Sequence, residues 1–167
     1  MIPNTYDAAI QIAALRYLPA EDWRYLKSQW WCESNLNPLA RSPAGALGLC
    51  QIEPETFAEC AEELNFPRDA SVFDPNWATL AGTHYMARMW AIWNNPKHSL
   101  DDRRKLAQAS YNAGAKSLIR AQVLANGAMD YDSIIAKLPG ITGESNARET
   151  RGYVIGIAAA YQALAAA

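Results

Sequence analysis

Trp23, Leu26 and Trp30 recur at helical spacing, and Glu33 falls three residues later on the same stripe. A helix bearing that stripe has to bury it, and Asn37-Pro38 then turns the chain away, because the residue before a proline avoids the α region. A carboxyl group on an apolar face is desolvated, which favours its neutral form and equips it to donate a proton. Exposed at the helix end, the same residue would be an ordinary surface glutamate.

The rest of the chain reads as more helices separated by strong breaks. Ala8 to Leu18 is apolar and helix-prone, and Pro19-Ala20-Glu21-Asp22 ends it and opens the Trp23–Glu33 helix. Residues 34–50 are turn-rich, with Ser42-Pro43-Ala44-Gly45 and Gly48 predicting a compact connection with little strand. Pro54 opens a helix with Phe57, Cys60, Ala61 and Leu64 on one face. Asp74-Pro75 opens another, with Met86, Met89, Trp90 and Trp93 facing the core, and Asn94-Asn95-Pro96 closes it. A helix from about Asp101 to Ala113 turns Leu106, Ala109, Ser110 and Ala113 inward, and Gly114 separates it from helical residues 116–125. Residues 126–146 read as looser, with turns at Pro139-Gly140 and Thr142-Gly143. A closing helix carries Thr150, Tyr153, Val154, Ile157, Ala158 and Tyr161 on one stripe. The expectation is a single, mainly α domain over residues 1–167, with little or no β structure.

Composition removes several function classes. A net charge of −2 over 167 residues offers no basic surface for nucleic acid or anionic membranes. No apolar run is long enough to span a bilayer. His84 and His98 have no ligand at helical spacing, and the three cysteines fit no metal or redox pattern, so Cys32, Cys50 and Cys60 are expected as buried thiols and no metal or organic cofactor is expected. Six tryptophans and eight tyrosines supply core, and such rings also stack on the apolar faces of sugars.

Four short motifs follow one another in order. Glu33-Ser34 precedes Asn37-Pro38, Ala40 and Ser42; Gly45-Ala46-Leu47-Gly48-Leu49-Cys50-Gln51-Ile52 comes next; Ser110-Tyr111-Asn112-Ala113-Gly114 and Glu149-Thr150-Arg151-Gly152-Tyr153-Val154 lie far downstream. Each is weak alone, but the ordered set, from about Trp23 to Tyr161, resembles the soluble lytic transglycosylase domain. That family is lysozyme-like and related to goose-type lysozymes.

The resemblance implies a lysozyme-like fold with helices around a glycan cleft, and cleavage of the β-1,4 bond between N-acetylmuramic acid and N-acetylglucosamine in peptidoglycan. It makes Glu33 the single catalytic acid/base, where most glycosidases use two carboxylates. Ser42 matches a serine placed at the substrate's N-acetyl group, though alone it reads as a turn-former before Pro43. Gln51 matches a glutamine beside the acid that donates to a sugar and accepts from a neighbour; alone it reads as a polar helix-start residue. Tyr111 matches a tyrosine reaching toward the glutamate, and otherwise reads as a half-buried core ring. Asn112 joins the substrate-binding set, although with Gly114 it also fits a role in fixing the turn. Glu149 and Tyr153, four apart on one helix face, are implied along the glycan, with Glu149 a contact or organiser rather than a second acid. Two positions depart from the family pattern: Cys50 replaces a methionine, predicting a looser cleft floor, and Glu53 stands where an apolar residue is usual. Glu53 is expected to point outward at the start of the next helix.

The alternatives are a goose-type-like muramidase that admits water to the same bond, and an idle glycan-binding or virion component. The opening Met1-Ile2-Pro3-Asn4 lacks the basic start and apolar run of a signal peptide. Bacterial members of the family usually carry a signal peptide or lipid-attachment cysteine, so the expectation is a bacteriophage protein made in the host cytoplasm, monomeric, and acting on the wall as an endolysin released through a holin or as a virion-associated enzyme, with a bacterial secretion-system enzyme or an excised piece of a longer protein as the runner-up.

Overall fold

The computed structural model describes residues 2–166. Helix α1 (Asp7–Tyr17) buries Ile10, Ala13 and Ala14. Helix α2 (Trp23–Ser34) carries the expected stripe, with Leu26 and Trp30 buried. Its N-cap is Asp22, whose carboxylate accepts the Arg24 N–H at 3.0 Å. Lys27 on α2 is only 1% exposed, and its ammonium lies 2.6 Å from Asp7 and donates to Asn4 Oδ1 at 2.7 Å. A buried ammonium needs such partners, so this lysine fastens the N-terminal segment to α2.

Residues 35–53 form the turn-rich connection, and among the described residues the only β pairing outside a named strand is two isolated antiparallel bridges here, Arg41 with Leu47 and Leu47 with Ile52. Helix α3 (Pro54–Glu63) starts at the expected proline and buries Cys60, with Phe57 and Phe66 packed around it. Helix α4 (Pro75–Ile92) follows an Asp74 whose carboxylate accepts the Asn76 N–H at 2.8 Å. Met86, Met89 and Trp93 are buried as expected, whereas Trp90 is half-buried beneath the Arg103 guanidinium, 4.6 Å from its ring centre.

Helix α5 (Leu100–Ala113) is capped by Ser99 and followed at once by α6 (Ala115–Leu124), with Gly114 at φ +81° between them. Residues expected to be loose contain two short helices, α7 (Tyr131–Ile135) and α8 (Pro139–Thr142). Asp130 caps α7 through the Ser133 N–H, and the Tyr131 N–H donates to Asp102 of α5 at 2.8 Å. The last helix, α9 (Glu144–Ala165), is the longest.

The described residues form two compact units. The first runs to Tyr85 and includes the chain from Ile157 onward; the second is Met86–Gly156. In the first, the end of α9 is held to the start of α2: the Tyr161 hydroxyl donates to Asp22 at 3.1 Å and its ring stacks on Tyr25 at 3.7 Å. In the second, Leu106, Leu118, Ile134 and Leu138 form a core in which α5, α6, α7 and α8 meet.

Candidate active site

Glu33 is half-buried in the last turn of α2. The helix stops before the Asn-Pro pair does any work. Asn35 and Leu36 both adopt left-handed backbone, at φ +54° and +57°, and the Asn35 N–H returns to the Trp31 carbonyl at 2.8 Å. Asparagine tolerates that conformation; leucine in it costs on the order of 1–2 kcal/mol. Leu36 is 3% exposed, and burying its side chain contributes roughly 1.5–3 kcal/mol, enough to hold the strained turn.

Ser34 ties this helix end to the motif that follows. Its hydroxyl donates to the Leu49 carbonyl at 2.7 Å and accepts the Asn37 N–H at 3.1 Å. The Gly48–Gln51 turn is thereby fixed against the residue next to Glu33. Gly48, at φ +71°, is required there because a Cβ would sit 2.2 Å from the Val72 carbonyl oxygen. Gln51 sits in that turn rather than at a helix start, at φ +46°, and both its N–H and its Nε2 donate to the Gly48 carbonyl, at 3.2 and 2.9 Å. Its side chain thus donates to a neighbour where the sequence implied that it accepts from one. The Ser42 hydroxyl accepts the Ala46 N–H at 2.9 Å, closing the 42–46 turn, and keeps its own proton to donate.

The Glu33 carboxylate acts electrostatically on Cys50 in this turn. Burial pushes the Cys50 thiol well above its ordinary pKa, and the Glu33 carboxylate pushes it further. Cys50 and Cys60 are buried as expected, but Cys32 is exposed, since it lies off the apolar stripe. The expected looseness at Cys50 is absent: it is wholly buried, and Gly82 of α4 lies so close that an added Cβ would meet its Cβ and Sγ at 2.8 Å. Glu53 is exposed at the N-cap of α3, with no capping hydrogen bond from its side chain.

The second unit holds Tyr111, Asn112, Glu149 and Tyr153. Tyr111 is half-buried in the last turn of α5, between two anchored neighbours. Before it, the buried Ser110 hydroxyl accepts the Trp93 indole N–H at 2.9 Å. After it, Asn112 Oδ1 accepts the Thr150 hydroxyl at 2.7 Å. That contact brings the Ser-Tyr-Asn-Ala-Gly motif to the helix bearing Glu149, which is exposed, and Tyr153, which is half-buried. Ser34 was legible only as a letter within a motif, and Ser110 and Thr150 as inward-facing helix positions; the partners of all three were not. Their partners lie 15, 17 and 38 residues away, and no spacing rule connects them. Among the described residues no cluster of histidine, cysteine, aspartate and glutamate suits a metal ion, and no helix is long and apolar enough to cross a membrane.

The sequence model of the transglycosylase SLT domain matches residues 11–134. The chain belongs to that family. Glu33, Ser42, Gln51, Tyr111 and Asn112 lie within the match, and Glu149 and Tyr153 lie beyond it. Among relatives of this SLT-domain chain, the soluble lytic murein transglycosylase of Escherichia coli K12 is 30% identical over 125 residues, covering 73% of this chain and 17% of that protein. Membrane-bound lytic murein transglycosylase F of Pectobacterium atrosepticum is 33% identical over 109 residues, covering 65% of this chain and 21% of its own length. The chain thus spans about a fifth of the length of such relatives. The fold agrees. The 70-kDa soluble lytic transglycosylase of Escherichia coli superposes with a TM-score of 0.73 at 24% identity, over 98% of this chain and 25% of that one. A 70-kDa soluble lytic transglycosylase in complex with bulgecin A gives 0.76 at 25% identity, over 96% and 24%. The lysozyme-like, mainly α class is established, while nothing in these likenesses bears on a bacteriophage setting.

Proposed function

We propose that this chain is a peptidoglycan lytic transglycosylase that cuts the bond between N-acetylmuramic acid and N-acetylglucosamine and leaves a 1,6-anhydro end. The observation that carries the reading is Glu33, a half-buried carboxyl at a helix end that Ser34 binds to the Gly48–Gln51 turn, in a chain of the SLT family. The names of its relatives point the same way.

In this reading Glu33 starts protonated and gives its proton to the bridging oxygen as the C1–O bond breaks. N-Acetylglucosamine leaves as the alcohol. With no second carboxylate assigned, the carbonyl oxygen of the muramic acid's own N-acetyl group closes on C1. Glu33, now a carboxylate, takes the proton of the C6 hydroxyl, and O6 attacks C1 and displaces the acetamido oxygen. Glu33 ends protonated as it began, and no water is consumed. Ser42 retains a proton for the N-acetyl group, Gln51 presents its amide to a sugar, and Tyr111 is the tyrosine that the family motif assigns to the reaction. Asn112, Glu149 and Tyr153 bind along the glycan strand.

The test is mass spectrometry of the products released from purified peptidoglycan. Muropeptides lighter by one water, without a reducing end, are expected, and Glu33→Gln should release none while keeping the wild-type helical circular dichroism. Reducing ends would instead establish a muramidase, and folded protein that releases nothing would leave a binding role. The proposal extends to a bacteriophage enzyme of lysis or entry; detecting the chain in purified virions would favour entry, and finding it only in lysates would favour lysis.

A further inference from the structure

The last turn of a helix lacks intrahelical partners for its carbonyls and is the part that frays first. Tyr111 and Asn112 occupy that turn in α5, directly before Gly114, whose left-handed φ of +81° ends the helix. Such a helix end keeps one position only if something outside the helix holds it. Ser110 supplies a hold on one side, with its hydroxyl buried against the Trp93 indole. The hold on the other side is Thr150, which is 1% exposed on α9 and whose hydroxyl lies 2.7 Å from Asn112 Oδ1. The same hydroxyl also lies 3.0 Å from the Asn146 carbonyl of its own helix. It has one proton, and the shorter contact is the one across to α5.

We propose that Thr150 is a positioning residue that sets the orientation of Tyr111 by clamping Asn112 across from α9 to the end of α5. Buried polar groups hold geometry when their partners are satisfied, and here a small hydroxyl sits where a valine would fit as well by shape. Packing alone would not select a threonine. The clamp rests on the transglycosylase reading only for its consequence: with the end of α5 held, Tyr111 keeps the orientation in which that reading uses it. Misalignment of a catalytic partner lowers turnover far more than it lowers binding.

The experiment compares Thr150→Val, which removes the hydroxyl and keeps the shape, with Thr150→Ser, which keeps the hydroxyl. Turnover on purified peptidoglycan should fall about tenfold in Thr150→Val with KM changed less than about twofold, and Thr150→Ser should restore it. In a Tyr111→Phe background the same Thr150→Val change should cost less than about twofold, because the group it positions is already gone. Equal loss in both backgrounds, or no loss in either, overturns the proposal. Amide hydrogen exchange reads the clamp without any activity: Thr150→Val should speed exchange at Tyr111, Asn112 and Ala113 by about tenfold and Thr150→Ser should not. If wild-type protein releases no anhydro product, the transglycosylase reading has failed, and the exchange rates alone decide the clamp.

Discussion

At the scale of single residues, the acid is held by its neighbour. Glu33 sits two residues before a helix stop built from left-handed Asn35 and Leu36, a segment that would relax without a tether. Ser34 is that tether, reaching across 15 residues to a carbonyl of the fully buried Leu49. Ser34→Ala removes the hydrogen bonds to Leu49 and from Asn37 and strands the buried Leu49 acceptor, at a cost of about 1–2 kcal/mol. Thermal unfolding followed by circular dichroism should show the midpoint lowered by roughly 3–6 °C. Ser34→Thr, which keeps the hydroxyl, should stay within about 2 °C of wild type. An unchanged midpoint in the alanine variant would mean that the Ser34–Leu49 bond does not hold the turn.

Among elements, α4 approaches the Glu33 helix and the Gly48–Gln51 turn closely at Gly82. A methyl group there would meet Cys50 at 2.8 Å and the Trp30 ring at 3.4 Å, so Gly82→Ala should destabilise the protein by about 1–3 kcal/mol in urea unfolding. Gly152, in α9 with nothing within 4 Å, provides the contrast: Gly152→Ala should stabilise by roughly 0.5–1 kcal/mol, the ordinary helix preference. Two losses of similar size would refute the close-contact account. What was legible in the sequence divides along the same line. The long helices announced themselves, because Trp23, Leu26 and Trp30, or Met86, Met89 and Trp93, repeat a period over several turns, and Asp22, Pro54 and Asp74-Pro75 mark their starts. The stop of α2 was misread as the work of Pro38, since Leu36 is a residue that no local rule places in left-handed backbone. The short helices α7 and α8 span too few residues for a period to appear, and they hang on distant contacts such as Tyr131 to Asp102. For the site, Glu33, Ser42, Gln51 and Tyr111 came from motif order; what fixes them came only from three dimensions. The letter change at Cys50 suggested slack, and the close approach of Gly82 closes it.

For the whole molecule, stability should be bounded on the acid and alkaline sides by groups that can be named in advance. The Asp22 carboxyl is held below its ordinary 3.8 first by its hydrogen bond to the Arg24 guanidinium, and Asp130 is held below the same value by its hydrogen bonds to Ser133. One lies in each compact unit, so acid weakens both. A depressed carboxyl contributes stability that is complete above pH 3.8 and disappears as pH falls through the lowered folded value. At the other end, burial pushes the Tyr131 phenol from 10.0 up to about 12, with the Asp132 charge adding to the rise and Arg151 opposing it. The folded state then keeps the phenol's proton longer than the unfolded chain does. That contribution is complete below pH 10 and is lost as pH rises from 10 toward 12. The phenols of Tyr17 and Tyr161, raised chiefly by burial, act in the same direction. Urea unfolding measured from pH 2 to 12 should therefore give a plateau between about pH 5 and 9 with a fall on each side. Asp22→Asn should make the acid fall shallower, and Tyr131→Phe should do the same to the alkaline fall while leaving the acid side unchanged. An alkaline limb identical in wild type and Tyr131→Phe would mean that the buried phenol titrates alike in the folded and unfolded chain, and that the core around α7 is open to water.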